Sequence, residues 1–388
     1  MLIFLASLSL VIWLFLLLFW GGFWLANQRL VTTEIKLIPY PTICAIVPAR
    51  NEADVLPTSI ASLLNQDYLG TFSIVLVDDN SSDRTREVTQ KIATELNKQD
   101  KIQIVAGQPL AAGWKGKLWA IKQGIDRANK LNLQPEYFLF TDADIQHDCH
   151  NLLQLVTKAE TENLDLVSLM VLLRCQSFWE KLLIPAFVFF FQKLYPFSWV
   201  NDRDRSLAAA AGGCLLIRRQ ALENIGGIDS IKDALIDDCT LAKAIKSNKA
   251  GIWLGLTETT ISLRAYEDLK TIWSTIARTA YTQLNYSPLL LIITVLGMGI
   301  VYLIPPIFLL IGLIITNWIL VIISLMTWLL MTIAYLPTIR LYKLSILWAF
   351  SLPAIALLYT LMTIDSAGKH YQGKGGAWKG RIYSNVGN

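Results

Sequence analysis

The chain has 388 residues, of which 54% are hydrophobic and only 16% are charged, and its mean hydropathy is +0.44. These values exclude an ordinary soluble protein and indicate membrane segments. The net charge of +4 comes with no run of Lys or Arg, so we expect no nucleic-acid partner.

The first 28 residues carry no charge, and residues 2–25 are apolar over a length that can span a bilayer, which takes about 20 residues. A secretory signal would show a basic start, a shorter apolar core and a small-residue cleavage site, and none is evident. We therefore predict that residues 1–28 are an uncleaved transmembrane anchor.

The region between this anchor and the next apolar stretch has ordinary charge, and its residues 40–285 alternate short strands and helices. The predicted strands are 42–47, 73–77, 101–105 and 136–140, and the predicted helices are 53–65, 84–96 and 116–129. This order predicts an α/β fold with a mostly parallel sheet and helices on both faces. Pro48 should end the first strand, and Asp83 should cap the second helix. The five cysteines show no C-x-x-C spacing, which favours free thiols in a cytosolic domain.

A second charge-free stretch runs over 279–339, and a further apolar segment follows it. We expect spans at 289–311 and 318–336, separated by a turn at 316–317, and a third candidate at 344–364. The predicted membrane region is thus 288–364, with two to three segments, and a basic tail follows at 365–388. With the N-terminal transmembrane helix, this predicts a multi-pass protein of a bacterial plasma membrane.

The basic residues near the apolar segments predict conflicting orientations of the chain in the membrane. Arg29 and Lys36 follow the first span and nothing basic precedes it, which predicts a cytoplasmic domain between the spans. Three later spans would then leave the tail outside, although it carries Lys369, Lys374, Lys379 and Arg381 and no acid after Asp365. One segment is therefore a candidate for a re-entrant or interfacial element, with kinks at Pro353 and at 305–306, and the tail would fold back toward the active site.

Three polar clusters follow predicted strands: the segment 48–52, the pair Asp78-Asp79, and Asp142-Ala143-Asp144. Ligands of such sheets bind beyond the carboxyl ends of the strands, so the three clusters should share one edge. Two carboxylates one residue apart can hold a hard cation such as Mg²⁺ or Mn²⁺ against substrate phosphates. Taken alone, such a pair at a strand end is more often a solvated turn.

Over residues 42–283, the ordered motifs resemble those of family 2 glycosyltransferases with the GT-A fold. They are PARNE at 48–52, VDDNSSD at 77–83, GWKGK at 113–117, TDAD at 141–144, AGGCLLI at 211–217 and IDDCTL at 236–241. The resemblance extends to the hopene-associated, membrane-anchored subgroup through 178–187, 277–284 and 378–383. It implies transfer of a sugar, hexosyl or N-acetylhexosaminyl, from a nucleotide-sugar donor, UDP-linked, to a hydrophobic membrane acceptor such as a hopanoid, carotenoid or other polyprenoid.

The resemblance also implies residue roles. Asp238, supported by Asp237, would be the general base of an inverting transfer; the alternative is an N-cap pair at a helix start. Asp144 would bind the metal, and Asp142 would be shared between the metal and the donor. The remaining donor-binding residues would be Pro48, Arg50, Glu52, Asp78, Asp79, Lys117 and Arg278. The alternatives are turn residues for the aspartates, an ordinary loop ion pair for Arg50 and Glu52, a solvated lysine for Lys117 and an interfacial arginine for Arg278.

Two further segments carry competing interpretations. Residues 178–199 are aromatic-rich but interrupted, which favours an interfacial helix over a buried core helix. His147 lies just after the Asp pair and near Cys149 and His150, but no second Cys/His pair completes a soft-metal site.

Rival functions lack their sequence signatures. A processive polysaccharide synthase of this family would carry Gln and Trp around Arg278, and both are absent. A nucleotidyltransferase would need a Gly-rich triphosphate loop, and a NAD enzyme would need G-x-G-x-x-G after the first strand. A non-catalytic component of a lipid pathway would have no need for the whole acidic set.

Overall fold

The computed structural model describes residues 1–31, 39–131, 133–373, 377–378 and 381–382. These residues form two compact units. Residues 27–174 and 199–265 make up one, which we call the sheet unit. Residues 1–26, 175–198 and 266–388 belong to the other, which we call the helical unit. Of the basic residues singled out above, Lys36, Lys374 and Lys379 lie outside the described residues, and the domain limits expected from the sequence stay predictions.

Eight strands of the sheet unit form one mixed sheet in the order β3-β2-β1-β4-β7-β6-β8-β5. They are β1 Ile43–Ala49, β2 Phe72–Asp78, β3 Ile102–Ala106, β4 Tyr137–Thr141, β5 Ile145–Gln146, β6 Leu166–Leu172, β7 Cys214–Arg218 and β8 Ile252–Ser262. Strands β1, β2, β3 and β4 pair in parallel, as do β6 and β8. Strand β7 is antiparallel to both β4 and β6, and β5 is antiparallel to β8. The predicted mostly parallel α/β sheet is confirmed.

Helices cover both faces of this sheet. They are α2 Leu56–Leu64, α3 Thr85–Glu95, α4 Gly116–Lys130, α5 Asn151–Thr161, α8 Arg219–Asn224 and α9 Asp237–Ser247, and the short α7 Phe197–Asn201 enters the sheet unit from the other unit. Ala45 and Val47 of β1 share a buried cluster with α2, α3 and α5. Ile46 points to the opposite face, where a Cβ at Gly124 of α4 would lie 2.4 Å from its Cγ2. Successive residues of β1 thus pack against different helices, as the pleat requires.

Two predictions from local sequence rules placed the ends of a strand and a helix wrongly. Strand β1 continues through Pro48 to Ala49, because pairing with β4 ends at Ile46 and the missing N–H costs no ladder bond there. Asp83 is not the N-cap of α3, which is Arg84. Its carboxylate instead accepts from the N–H of Thr85 at 3.0 Å and from the N–H of Ala53 at 3.1 Å.

Among its described residues, the helical unit has four helices long and apolar enough to cross a membrane: 2–19, 288–314, 318–341 and 346–371. Its helices are α1 Leu2–Phe19, α6 Phe178–Leu194, α10 Leu269–Gln283, α11 Pro288–Met298, α12 Ile304–Ile314, α13 Trp318–Leu341 and α14 Leu352–Tyr371. A π-helical turn, Gly299–Leu303, joins α11 to α12, and a 3-10 helix, Ile346–Ser351, precedes α14. Two short strands, β9 Ala377–Trp378 and β10 Arg381–Ile382, pair antiparallel. Many side chains of α11 and α13 are large, apolar and exposed, as lipid-facing side chains would be.

Helix α6 begins with a capping box that also fixes a distant segment. The side chain of Ser177 accepts from the N–H of Glu180, and the Glu180 carboxylate accepts from the N–H groups of Gln176 and Ser177 at 2.7 and 2.8 Å. Its other oxygen accepts from the N–H of Tyr266 at 2.7 Å. One fully buried carboxylate therefore satisfies three backbone donors.

We expect Glu180→Ala to lower the unfolding free energy by about 3 kcal/mol or more, because three backbone N–H groups lose a charged acceptor and hydrogen bonds to charged groups contribute about 1.5–3 kcal/mol each. Thermal unfolding in detergent micelles measures the loss. Glu267→Ala removes the same charge at an exposed position and should leave the midpoint unchanged. Equal midpoints for Glu180→Ala and wild type would contradict this role.

Candidate active site

The loops that follow β1 and β2 are tied to each other. Arg50 Nη1 donates to the carbonyl oxygen of Asp79 at 2.7 Å and lies 3.8 Å from its Oδ2. The N–H of Asn51 donates to Ser81 Oγ at 2.9 Å, and Asn51 Oδ1 accepts from the N–H of Ser82 at 2.8 Å. Asn51 has φ 53°, a left-handed conformation that asparagine tolerates. The PARNE and DDNSS segments thus form one structure.

The two acids at the end of β2 have different surroundings, although both are buried. The Oδ1 of Asp78 accepts from the N–H of Ser81 at 3.1 Å, and its Oδ2 is ion-paired with Arg86 on α3. Asp79 faces Arg50. Asp78 therefore holds the turn and the following helix together, while Asp79 is the acid that meets the PARNE loop. The N–H of Glu52 donates to Thr85 Oγ1 at 3.1 Å, which fixes its backbone beside α3.

Asp142 and Asp144 follow β4, as the sequence predicts. The N–H of Asp142 donates to the carbonyl of Gly213 at 3.3 Å, and the carbonyl of Asp144 accepts from the N–H of Leu263 at 2.7 Å. These bonds anchor the TDAD segment between β7 and the chain after β8. The side chain of Asp142 stays 38% exposed, whereas Asp144 is buried.

Lys117, in the first turn of α4, lies between acids from two other elements. Its Nζ is 2.7 Å from Asp142 Oδ1 and 3.7 Å from Asp237 Oδ2. Burial alone would lower the pKa of Lys117, but the charges of Asp142 and Asp237 outweigh it and raise the pKa above its usual value. A protonated lysine thus joins the TDAD segment to the IDD segment.

Asp238 lies with Asp237 in the first turn of α9, whose N-cap residue is Ile236; the acids therefore stand at the helix start, as the alternative expects, but inside the helix rather than at its N-cap. The Oδ2 of Asp238 accepts from the N–H of Gly212 at 2.8 Å and its Oδ1 from the N–H of Cys239 at 2.7 Å. Burial and then the charge of Asp237 raise the pKa of Asp238 to about 6, although Lys117 and the two N–H donors lower it. A carboxylate with such a pKa can take a proton near neutral pH.

Gly212 is a functional position that the sequence interpretation missed. A Cβ at this residue would lie 3.1 Å from Lys117 Nζ and 3.3 Å from Asp238 Oδ2. A larger residue here would press on both charged groups and shift them by a few tenths of an ångström, while the N–H of Gly212 holds Asp238. The adjacent glycines at 212–213, just before an apolar strand, were the available signal.

Part of this set lines one pocket of the sheet unit: Lys117, Gly212, Asp237 and Asp238 belong to its walls, whereas Asp79, Asp142 and Asp144 do not. Its walls are Pro48, Lys117, Leu118, Ile121, Phe140, Thr141, Gly212, Leu215, Ile228, Ile231, Asp237, Asp238 and Leu241. The pocket brings the PARNE, GWKGK, AGG and IDD segments together. Arg278, by contrast, lies on α10 in the helical unit.

His147 is a buried structural residue. Its ring nitrogens contact Thr141 Oγ1 and Asn151 Nδ2, each at 3.0 Å, and Asn151 in turn accepts from Thr260 Oγ1. Burial lowers the pKa of His147 to about 3, so the imidazole is neutral. This network supports the TDAD segment from behind.

The donor set after β4 suits a hard divalent cation. It offers the carboxylates of Asp142 and Asp144, and Mg²⁺ typically takes one or two protein carboxylates plus substrate phosphates. The positively charged ammonium of Lys117 already contacts one oxygen of Asp142. A cation bound there would share that oxygen with Lys117 or displace it.

Comparison with protein families gives a match over residues 44–226, just under half of the chain, to the family described as Glycosyl transferase family 2. Beta-monoglucosyldiacylglycerol synthase of Trichormus variabilis is 26% identical over 215 residues, covering 54% of this chain and 42% of that protein. Dolichyl-phosphate beta-glucosyltransferase of Saccharomyces cerevisiae is 30% identical over 132 residues, covering 32% and 37%. The chain spans about two fifths of the length of these curated relatives.

The fold has a solved counterpart. A mannosyltransferase from Pyrobaculum calidifontis, determined in complex with GDP-Man and Mn²⁺, superposes with a TM-score of 0.55 at 17% identity, covering 96% of this chain and 99% of that one. The sheet of this chain therefore has the GT-A-type fold, and the segment that carries the TDAD acids lies within the match to glycosyl transferase family 2.

Proposed function

We propose that this chain is a membrane-anchored, metal-dependent glycosyltransferase that moves one sugar, with inversion, from a nucleotide-sugar to a lipid acceptor. The observation that carries the proposal is the cluster in which Lys117 contacts both Asp142 and Asp237, with Asp238 beside them. An acid suited to a metal, a lysine suited to a diphosphate and a carboxylate suited to act as a base would then lie together, which supports the proposal. The match to glycosyl transferase family 2 supports this choice over other users of acidic pockets.

The donor would lie along the carboxyl ends of β1, β2 and β4. Asp79 and Arg50 would contact the nucleoside, with Pro48 and Glu52 shaping the same loop, and Asp78 would hold that loop in place. Lys117 would contact the diphosphate once the donor enters. Arg278 would add a phosphate contact from α10. We propose a UDP-linked donor on the motif resemblance; the Pyrobaculum enzyme holds GDP-Man, and a donor series decides between the two bases.

The chemical step is a direct displacement. The acceptor hydroxyl gives its proton to the Asp238 carboxylate as its oxygen bonds to the anomeric carbon. The bond between that carbon and the diphosphate oxygen breaks, and the nucleoside diphosphate leaves with the electron pair. Asp237, whose Oδ2 lies 3.7 Å from Lys117 Nζ, keeps that lysine in position.

Asp144, with Asp142, would hold Mg²⁺ or Mn²⁺, as the Mn²⁺ in the Pyrobaculum enzyme supports. When bound, the cation neutralises the charge that develops on the departing diphosphate. The residues of the chain do the remaining work of orienting the donor and taking the proton.

We propose a hydrophobic acceptor with a free hydroxyl, of the hopanoid, carotenoid or other polyprenoid type, presented from the cytoplasmic face of the membrane. Two observations support a lipid: the four long apolar helices, and relatives whose names include diacylglycerol and dolichyl phosphate products or acceptors. A processive polysaccharide synthase is the rival, and product length separates the two.

The raised pKa of Asp238 predicts an acid limb in the pH dependence of transfer. Protonation below about pH 6 removes the base, so kcat/KM should fall about tenfold per pH unit as the pH drops below that value and level off above it. Lys117 lowers this pKa, so Lys117→Gln should move the limb to higher pH. Steady-state rates between pH 4.5 and 8 measure both effects, and a flat profile across pH 5–7 would contradict the assignment.

The test of the function is transfer by the purified full chain. We expect release of nucleoside diphosphate from one nucleotide-sugar, dependent on Mn²⁺ or Mg²⁺ and accelerated by a bacterial lipid extract, with a lipid that gains one sugar in the mass spectrum. A product series with many sugars would favour the synthase. No metal-dependent turnover of any UDP- or GDP-sugar would overturn the proposal.

A further inference from the structure

The four apolar helices of the helical unit have the length of membrane spans, but length does not say whether each one crosses. We infer that three cross, namely α1, the α11–α12 helix and α13, and that residues 346–371 enter the bilayer to about its middle and return. The chain after Tyr371 then lies on the side from which α11 enters. The inference rests on the membrane anchoring proposed above and on contacts within the helical unit.

The contacts of α1 define the two ends of the bundle. Its first turn, at Leu2, Leu5 and Ala6, packs with Phe308 of α12 and Leu320 of α13. Because these positions lie near the end of α12 and the start of α13, one end of the bundle carries the N-terminus and the turn at 315–317. We call this the distal end.

The opposite end of the bundle is the one at which α1 ends. The indole of Trp13 donates to the carbonyl of Val301 at 2.8 Å, and the indole of Trp20 donates to that of Lys193 at 2.9 Å. Helix α1 thus runs from the distal end toward Asn27, where the sheet unit begins. We call this the proximal end; α11 starts there and α13 finishes there.

The end of α14 lies at the proximal end. Tyr281 Oη is 3.1 Å from Tyr371 Oη, and the ring of His370 stacks on that of Tyr286 with centroids 4.4 Å apart. Ser366 Oγ also accepts from the N–H of Tyr281 at 3.0 Å. Tyr281 lies in the last turn of α10 and Tyr286 two residues before α11, so the last turn of α14 sits near the start of α11.

These contacts are incompatible with a fourth crossing. Helix α13 ends at the proximal end, so a crossing by 346–371 would carry Tyr371 to the distal end. The α11–α12 helix has 27 residues, which separate its two ends by about 40 Å. Tyr371 would then lie tens of ångströms from Tyr281, not at the 3.1 Å observed.

The start of the segment lies about halfway along α13. The ring of Trp328 is 6.4 Å from that of Phe350, and its indole N–H donates to the Phe350 carbonyl at 3.4 Å. Trp328 is ten residues into α13, which places Phe350 about 15 Å from the distal start of that helix. Ile346, Leu347 and Phe350 expose their apolar side chains, as a loop tip in lipid would.

The charges agree with this arrangement. Residues at the distal end, around Met1 and 315–317, include no Lys or Arg, whereas Arg29, Arg340 and Lys343 flank the proximal ends of α1 and α13. If the last segment is re-entrant, Lys369 and the basic tail lie on the same side of the membrane as these residues. Basic residues near membrane ends are enriched on the cytoplasmic side. The conflict seen in the sequence then disappears.

Thiol labelling of the full chain tests the side of the tail. In right-side-out and inverted membrane vesicles, a membrane-impermeant maleimide is applied to a protein carrying Gln372→Cys and Thr316→Cys, both at exposed positions, and peptides are mapped by mass spectrometry. Native Cys149 is exposed and marks the sheet unit. We expect Gln372→Cys to react in the same vesicles as Cys149 and Thr316→Cys to react in the others. Reaction of Gln372→Cys together with Thr316→Cys, or from neither side, would overturn the inference.

A depth measurement tests the re-entrant tip. Nitroxides attached at Leu347→Cys and Leu329→Cys should show the same bilayer depth from their relaxation by oxygen and by a water-soluble nickel chelate, and both should be deeper than one at Gln372→Cys. A label at position 347 that is as accessible to water as the label at position 372 would contradict the claim that the start of residues 346–371 lies inside the bilayer. Neither measurement requires sugar transfer, so a failed inference and a failed function remain distinguishable.

Discussion

Asp238→Asn should abolish sugar transfer almost completely, with kcat lowered by about 10²–10⁴-fold, because an amide cannot accept the acceptor's proton. The substitution keeps the size of the side chain. Its amide can still accept from one of the two N–H groups, those of Gly212 and Cys239, that bind the carboxylate. The donor should therefore bind with nearly unchanged affinity while turnover is lost. Steady-state transfer and calorimetric titration with the donor diphosphate separate the two quantities.

The matched control is Asp233→Asn, which removes an acid five residues away at an exposed position. It should retain wild-type turnover. If Asp238→Asn also kept wild-type kcat, or if it lost donor affinity in proportion to kcat, Asp238 would not be the base.

Asp144→Asn should weaken metal binding and lower turnover by about 10²–10³-fold, since the cation's stabilisation of the leaving diphosphate is largely lost. The Mn²⁺ concentration needed for half-maximal rate should rise at the same time. Electron paramagnetic resonance of free Mn²⁺ in the presence of the nucleoside diphosphate measures the binding directly.

Asp126→Asn serves as the control for the metal site, because Asp126 lies on α4 and pairs only with a surface lysine in the contacts described for it. It should bind Mn²⁺ like wild type. Unchanged Mn²⁺ affinity in Asp144→Asn would show that the cation is held elsewhere.

The sequence predicted where the strands end, but it did not predict which side chains contact each other at those ends. The alternation of apolar runs and turn residues predicted β1 to β4 within one or two residues at most ends, and the clusters after β1, β2 and β4 follow from it. It did not predict that Lys117 would lie 2.7 Å from Asp142 and 3.7 Å from Asp237. Those contacts join α4, β4 and α9, which are far apart in the chain, and local patterns carry no information about such distances.

Predictions from the local sequence also failed where the neighbouring elements of the fold determine what a residue does. Proline ends a strand only if its missing N–H was needed, and at Pro48 the ladder with β4 has already ended. Gly212 received no role because its importance lies in the space that Lys117 and Asp238 occupy. Residues 346–371 are as apolar as a span, so composition cannot separate a re-entrant segment from a crossing one; the contact of Tyr371 with Tyr281 does.

The most direct test of the central claim is lipid profiling of cells that express the wild-type chain or Asp238→Asn at equal levels. Mass spectrometry of the total lipid extract should show, with the wild type only, a membrane lipid heavier than its precursor by one hexose or one N-acetylhexosamine. Identical lipid profiles for the two proteins, under conditions in which the wild type hydrolyses or transfers a nucleotide-sugar, would contradict the claim that this pocket glycosylates a lipid.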